Sequence, residues 1–397
     1  MVDSGKSERL KMVHLGAGST CMESSTEKRK VVLPLPTLLS QALVAFTIEF
    51  DNEFEHRMPH RTTVAGAGPG KTSGPWLTSI VMWSNLMRLV PEEGITVAEL
   101  RKRSRIVKLS LAGMERWGYI RVGIDPKDER TKPPEKDLVI WPTTKGRMAQ
   151  QVWRPLTGAI EERWEERFGK DLVGRLKASL GSMLEQIDGG LPEYLPVVGF
   201  GLFTQALPDS ERASIGRDKD PIHELRLPAL LSKVLLEFTL QFERESAISL
   251  PVYANVLRVL ADQGMPVREI ARLSGVSKEG ISMAVTFLKG RGFAVLAPDP
   301  QARRGQAVLL TPKGVLAKET HRRLLEAIEE RWITRFGSAL GELRMVLEKL
   351  VGDPASRSPL FAGLNLYPDS WRASIPMPET LPHYPMVLHR GGYPDGS

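Results

Sequence analysis

The sequence predicts a mainly α-helical chain with small β-wings, an α+β fold in which one helix-turn-helix unit with a two-stranded wing is written twice around a shared helical core. Three observations carry this. Residues 35–59 (LPTLLSQALVAFTIEFDNEFEHRMP) align without a gap on residues 227–251 (LPALLSKVLLEFTLQFERESAISLP) at an offset of 192. Apolar residues in both segments return at three- and four-residue spacing, the stripe of an amphipathic helix. Residues 267–292 (VREIARLSGVSKEGISMAVTFLKGRG) then read as helix, tight turn and helix, followed by strand-forming residues around a charged loop.

The repeat continues in order along the chain. Residues 85–100 (NLMRLVPEEGITVAEL) match 255–270 (NVLRVLADQGMPVREI) at an offset of 170, so the first copy holds an insertion around 61–74. Lys145-Gly146 matches Lys313-Gly314, and EERW with RFG at 161–169 matches 329–337, both at an offset of 168. PDSERASI at 208–215 parallels PDSWRASI at 368–375. The boundaries that follow are a disordered tail at 1–30, a first unit at 35–185, a Pro/Gly-rich extension and linker at 186–226, a second unit at 227–351 and a Pro/Gly-rich C-terminal extension at 352–397.

Element by element, the second unit opens with the helix after Pro228 that carries Leu230, Leu231, Val234, Leu235, Phe238 and Phe242, matched by Leu38, Leu39, Ala42, Leu43, Phe46 and Phe50. A further stripe, Val256, Leu257, Val259 and Leu260, ends at the turn Asp262-Gln263-Gly264. Val267 to Leu273 is the next helix, Ser274-Gly275-Val276 the turn, and Ser277 a good N-cap for the helix that Gly292 closes. Residues 293–296 and 307–310 form the wing around a loop holding Arg303 and Arg304. A long charged helix resumes at Pro312 and continues to about Leu325, and a further helical segment through Leu350 carries Ile328, Trp332, Phe336, Leu340, Leu343 and Leu347 at helical spacing; these terminal stripes need one another for burial.

Composition removes several function classes. The chain has 397 residues, 42% apolar and 25% charged, with a net charge of +7, which permits a polyanionic partner. Cys21 is the single cysteine, so a disulfide within the chain or a cysteine-based metal site has no ligands. No run approaches 18 apolar residues, and a cytoplasmic location is expected, with no membrane partner. The seven histidines include no HExxH spacing, His56 with His60 being the nearest pair, and no nucleophile elbow occurs. Ala65 to Thr72 (AGAGPGKT) fits a loose phosphate-loop spelling, but it lies in the insertion between two predicted helices and Pro69 removes a backbone donor. Neither enzyme nor cofactor is expected. Trp83, Trp164 and Trp332 suit core packing better than a ligand cavity, and Tyr194, Phe200, Phe203, Phe361, Tyr367, Trp371 and Tyr384 anchor the proline-rich extensions.

The order of elements, and above all PVREIARLSGVSKEGISMAVTFLKGRGFAVLAPDPQARRGQAVLLTPKG at 266–314, resembles the MarR family of winged-helix bacterial transcriptional regulators. The resemblance covers 227–351 well and 35–185 less well. It implies tandem winged helix-turn-helix units whose terminal helices form a dimerisation-like core, so that the chain corresponds to a homodimer of the family fused head to tail. Double-stranded DNA is then the partner, and a small-molecule effector is a second one. On the second unit the candidate DNA contacts are Ser277, Lys278 and Ser282, with Gly280 beside them, and Arg303 and Arg304 at the wing tip. On the first unit they are Arg101, Arg103, Arg105 and Lys108, in a segment four residues shorter than its partner, with Arg130 and Lys132 on a longer and nearly neutral wing. Each has a bland alternative: Ser277 as a helix cap, the basic residues as a solvated face. Unequal recognition segments predict an asymmetric operator. The competing reading is a winged-helix module for ligand sensing or protein interaction that has lost sequence-specific DNA binding.

Overall fold

Two helices whose sequences align, α1 (Leu35–Arg57) and α7 (Leu227–Glu245), lie against each other at the centre of the chain. The structure, a computed structural model, describes residues 32–58, 80–106, 111–187, 189–196, 204, 207, 221–246, 248–299, 305–368 and 379–384. The phosphate-loop-like stretch, the N-terminal tail, Lys108, Arg303, Arg304 and nearly all of both PDS-containing repeats therefore lie outside the described residues.

Each central helix carries a proline in its first turn, where the missing N–H has no helical acceptor to lose. The free N–H of each first residue is taken up by the other half of the chain. Leu35 N donates to Glu329 Oε1 (2.6 Å), and Leu227 N donates to Glu161 Oε1 (2.5 Å). These acceptors lie on the long helices α11 (Pro312–Phe336) and α5 (Thr144–Phe168) at equivalent places in the repeat. A carboxylate at a helix N-terminus also meets the positive end of the helix dipole.

Beyond Gly169 and Gly337 the chain turns into α6 (Lys170–Glu185) and α12 (Ser338–Val351). These two pack on each other, with α6 also against α7 and α12 against α1, so that apolar residues of both halves share one core. Phe46 meets Trp164 at 5.6 Å between ring centres and Phe238 meets Trp332 at 5.1 Å. Each indole is held by the same kind of bond: Trp164 Nε1 donates to Glu49 Oε1 and Trp332 Nε1 to Gln241 Oε1, both at 2.9 Å. All three singled-out tryptophans are buried, Trp83, Trp164 and Trp332 being at most 1% exposed, which is the packing role expected of them.

A small lobe follows each central helix. The first comprises α2 (Ile80–Ser84), α3 (Val97–Ser104), α4 (Leu111–Arg116) and strands β1 (Ile95–Thr96), β2 (Ile120–Gly123) and β3 (Val139–Pro142). The second comprises α8 (Asn255–Val259), α9 (Val267–Ser274), α10 (Lys278–Gly290) and strands β4 (Met265–Pro266), β5 (Ala294–Pro298) and β6 (Gln306–Leu310). Both sheets are antiparallel and three-stranded with the same order, β1-β3-β2 and β4-β6-β5. The wing strand expected from Phe293 begins one residue later, because Phe293 is buried and its N–H closes the preceding helix on Leu288 O.

The Lys-Gly pair has a steric cause. Thr143 and Thr311 cap α5 and α11 by accepting from the N–H of Gly146 and Gly314. A Cβ at Gly146 would stand 2.1 Å from Tyr119 O, and one at Gly314 would stand 1.9 Å from Phe293 O. Only glycine lets the long helix start this close to the lobe's strand.

Candidate nucleic-acid interface

In the second lobe, Ser277 closes the turn and opens α10, its hydroxyl accepting from Gly280 N at 3.2 Å. It is 8% exposed, so it fixes the helix start and leaves the outward face to others. Gly280 is buried as well. Ile281, Ala284, Val285 and Leu288 face the lobe's own core, which turns Lys278, Ser282, Thr286 and Lys289 outward at i, i+4, i+8 and i+11. Thr286 Oγ1 donates back to Ser282 O at 2.8 Å, and neither lysine is held in an ion pair among the described residues. Thr286 and Lys289 were not among the residues expected to matter. The signal that finds them is the four-residue spacing from Lys278 along an exposed face.

The wing base is fixed by Arg268, paired with buried Asp299 at 2.8 Å, and by Asp299 N donating to Gly305 O at 2.9 Å.

The first lobe uses its basic residues differently. Arg101 pairs with Glu135 of the wing loop at 2.8 Å, and Arg103 with Glu99 one turn earlier at 2.8 Å. Arg103 holds the Glu99 carboxyl below its ordinary value. Arg130 is gripped by Asp128 at 2.7 Å and Asp137 at 3.0 Å, and its hydrogen bonds hold Asp128 below the usual carboxylate range. Lys132 is exposed on the same wing. Arg105 occupies the turn position that Gly275 fills in the second lobe, both with positive φ (58° and 71°). A non-glycine residue there is strained; its guanidinium donates to Leu191 O at 3.2 Å.

Leu191 belongs to a short coil, 191–195 (LPEYL), whose counterpart by position is 381–384 (LPHY). Each coil ties its lobe to the central helix of the other half. Leu191 O also accepts from Lys233 Nζ of α7 (2.9 Å), and Leu381 O accepts from Gln41 Nε2 of α1 (3.2 Å). Asn85 Nδ2 donates to Leu195 O and Asn255 Nδ2 to Tyr384 O, both at 2.8 Å. Thr380 O lies where a Cβ on Gly275 would fall, at 2.3 Å, and Glu379 pairs with Arg272. The coils fill the joint between lobe and core, and α10 keeps its outward face with the coil in place.

The two joints differ in charge. Under the first lobe, Arg88 pairs with Glu193 at 3.0 Å and lies over the Tyr194 ring. Under the second, the corresponding Arg258 faces His383, and burial lowers the guanidinium pKa to about 10. Burial takes His321 down to about 4, and burial with the charges of Arg258 and His321 takes His383 well below its ordinary value. Outside both joints an open groove of about 520 Å³ is lined by Lys177, Gly181, Ser182, Glu185, Ile222 and His223. Among the described residues no cluster suited to a metal ion occurs, and no helix is long and apolar enough to cross a membrane.

No protein-family model matches the chain, and no curated protein matches it. Among solved structures, a transcriptional regulator of the MarR family from Rhodococcus sp. RHA1 is similar at 23% identity and a TM-score of 0.25, over 30% of this chain and 89% of that one. At that score the functional reading rests on the lobes themselves.

Proposed function

We propose that the chain is a DNA-binding transcriptional regulator, a fused pseudo-dimer in which two winged helix-turn-helix lobes hang from one shared helical core. The observation that carries this reading is the exposed polar face of α10, with Lys278 near its start, beside a wing held by Arg268 and Asp299. A helix of that kind presents donors to base edges and phosphates when it enters a major groove. The reciprocal bonds from Glu161 and Glu329 to the opposite half's first helix, and the equivalent coils at both joints, support the pseudo-dimer. Fusion fixes a one-to-one ratio of the two lobes, and their unlike outward surfaces suit an asymmetric operator. A small-molecule effector would enter the open groove beside α6.

The competing reading, a winged-helix module without sequence-specific DNA binding, draws on the first lobe alone, where the candidate arginines are engaged by the protein itself. Binding of the full chain to random-sequence duplex across a salt series tests the proposal. Affinity that falls steeply with salt, together with tighter binding to sequences selected from a pool, is expected. Salt-independent or undetectable binding would remove the DNA function.

A further inference from the structure

We infer that base reading is confined to the second lobe, through Lys278, Ser282, Thr286 and Lys289 of α10, and that the first lobe serves as a structural counterpart that reads no sequence. This rests on the DNA-binding reading above and deepens it, because it names the target as a single half-site.

The argument starts from anchors that the two lobes share. Before the reading helix, Ser104 Oγ accepts from Ile106 N and Ser274 Oγ accepts from Val276 N, both at 3.3 Å, with Ile106 and Val276 both 3% exposed. After it, Tyr119 N donates to Met114 O at 3.0 Å and Phe293 N to Leu288 O at 2.8 Å. These two bonds set Leu111 against Val285, so α4 (Leu111–Arg116) corresponds to the last six residues of the thirteen in α10. Between the front anchor and that point the second lobe has eight residues, Ser277 to Ala284, and the first lobe has four, Val107 to Ser110. At about 1.5 Å of rise per residue, eight residues span the two turns of α10 that hold Lys278 and Ser282, and the sequence of the first lobe is four residues, about one helical turn, shorter between the same anchors.

The described part of the first helix carries different chemistry. Ala112 stands where Thr286 is, and Glu115 stands where Lys289 is, so a carboxylate replaces an ammonium on the face that would meet DNA. Glu115 Oε1 accepts from Val122 N at 3.0 Å, which ties it to the wing strand. Mounting differs too. The core of the first lobe, including Met114, Tyr119 and Ile140, is continuous with the shared helical core, whereas Ile270, Ile281, Leu288 and Val308 form a cluster of their own.

Selection of bound duplexes from a randomised pool tests the inference, using the full chain and three variants: K278A/S282A, K289E and R101A/R103A. All the substituted side chains are at the surface except that of Arg101, which is half-buried, and circular dichroism checks that each variant folds. The wild type should enrich one contiguous run of base pairs. K278A/S282A should lower that enrichment at least tenfold, K289E should weaken binding severalfold, and R101A/R103A should leave the selected sequence unchanged. Two enriched runs about 10 base pairs apart, or a consensus altered by R101A/R103A, would overturn the inference while leaving the regulator reading intact. No enriched sequence from the wild type would overturn the regulator reading itself, and the inference with it.

Discussion

The two lobes share their scaffold and differ in their outward surface. Caps, wing topology, the serine of the turn and the close glycine contact recur at equivalent places. The helix after the turn, the wing loop and the charge at the joint do not. Two lobes that hold equivalent scaffold contacts while their outward residues differ separate what the fold requires from what the surface is free to vary.

The comparison is sharpened most strongly at the shared scaffold. G146A and G314A each push a methyl group into the carbonyl just before a wing strand, and each should destabilise its lobe by about 3 kcal/mol or more. Hydrogen exchange should register the two losses in separate lobes, and a large loss in only one would break the equivalence.

Acid should act on the buried histidines of the second joint. His321 is buried and neutral, with a folded pKa depressed to about 4 from 6.5, so its contribution is complete above pH 6.5 and is lost as the pH falls toward 4. At 1.36 kcal/mol per unit, this amounts to about 3 kcal/mol, and His383 adds in the same direction. Trp153 holds the corresponding place under the first lobe and does not titrate. Stability curves of H321F should therefore be flatter than those of the wild type between pH 6.5 and 4; parallel curves would assign the acid loss elsewhere.

Cutting the reciprocal caps should cost somewhat less. E161A and E329A each leave a helix N-terminus without its carboxylate, at about 2 kcal/mol by thermal or denaturant unfolding, and the two values should agree within a factor of two. The smallest effect belongs to the exposed pair of Arg103 and Glu99. R103A should change stability by less than about 0.5 kcal/mol, since both side chains are well solvated.

Much of this scaffold was legible in the sequence. Aligned apolar stripes gave the central helices, the serine-glycine turn and Ser277 gave the helix-turn-helix, and the repeated Lys-Gly marked where the long helices begin. The strand-forming residues 293–296 and 307–310 lie within two residues of the bounds of β5 and β6. Three things were not legible. Proline-rich coil has no periodicity, so the joints made by 191–195 and 381–384 were invisible until their backbone carbonyls met Lys233 and Gln41. The pairing of Arg101 with Glu135 depends on the path of a wing loop that composition does not fix. The four-residue deficit of the first lobe is legible in the sequence, but that it falls between Ile106 and Leu111 follows only from the bonds that anchor both ends.

Methylation interference on a selected duplex, read at guanine N7 in the major groove, tests the central claim most directly. A single reading helix predicts one cluster of interfering guanines on one face of the duplex. Two clusters of similar strength, separated by about one helical turn of 34–36 Å, would contradict it.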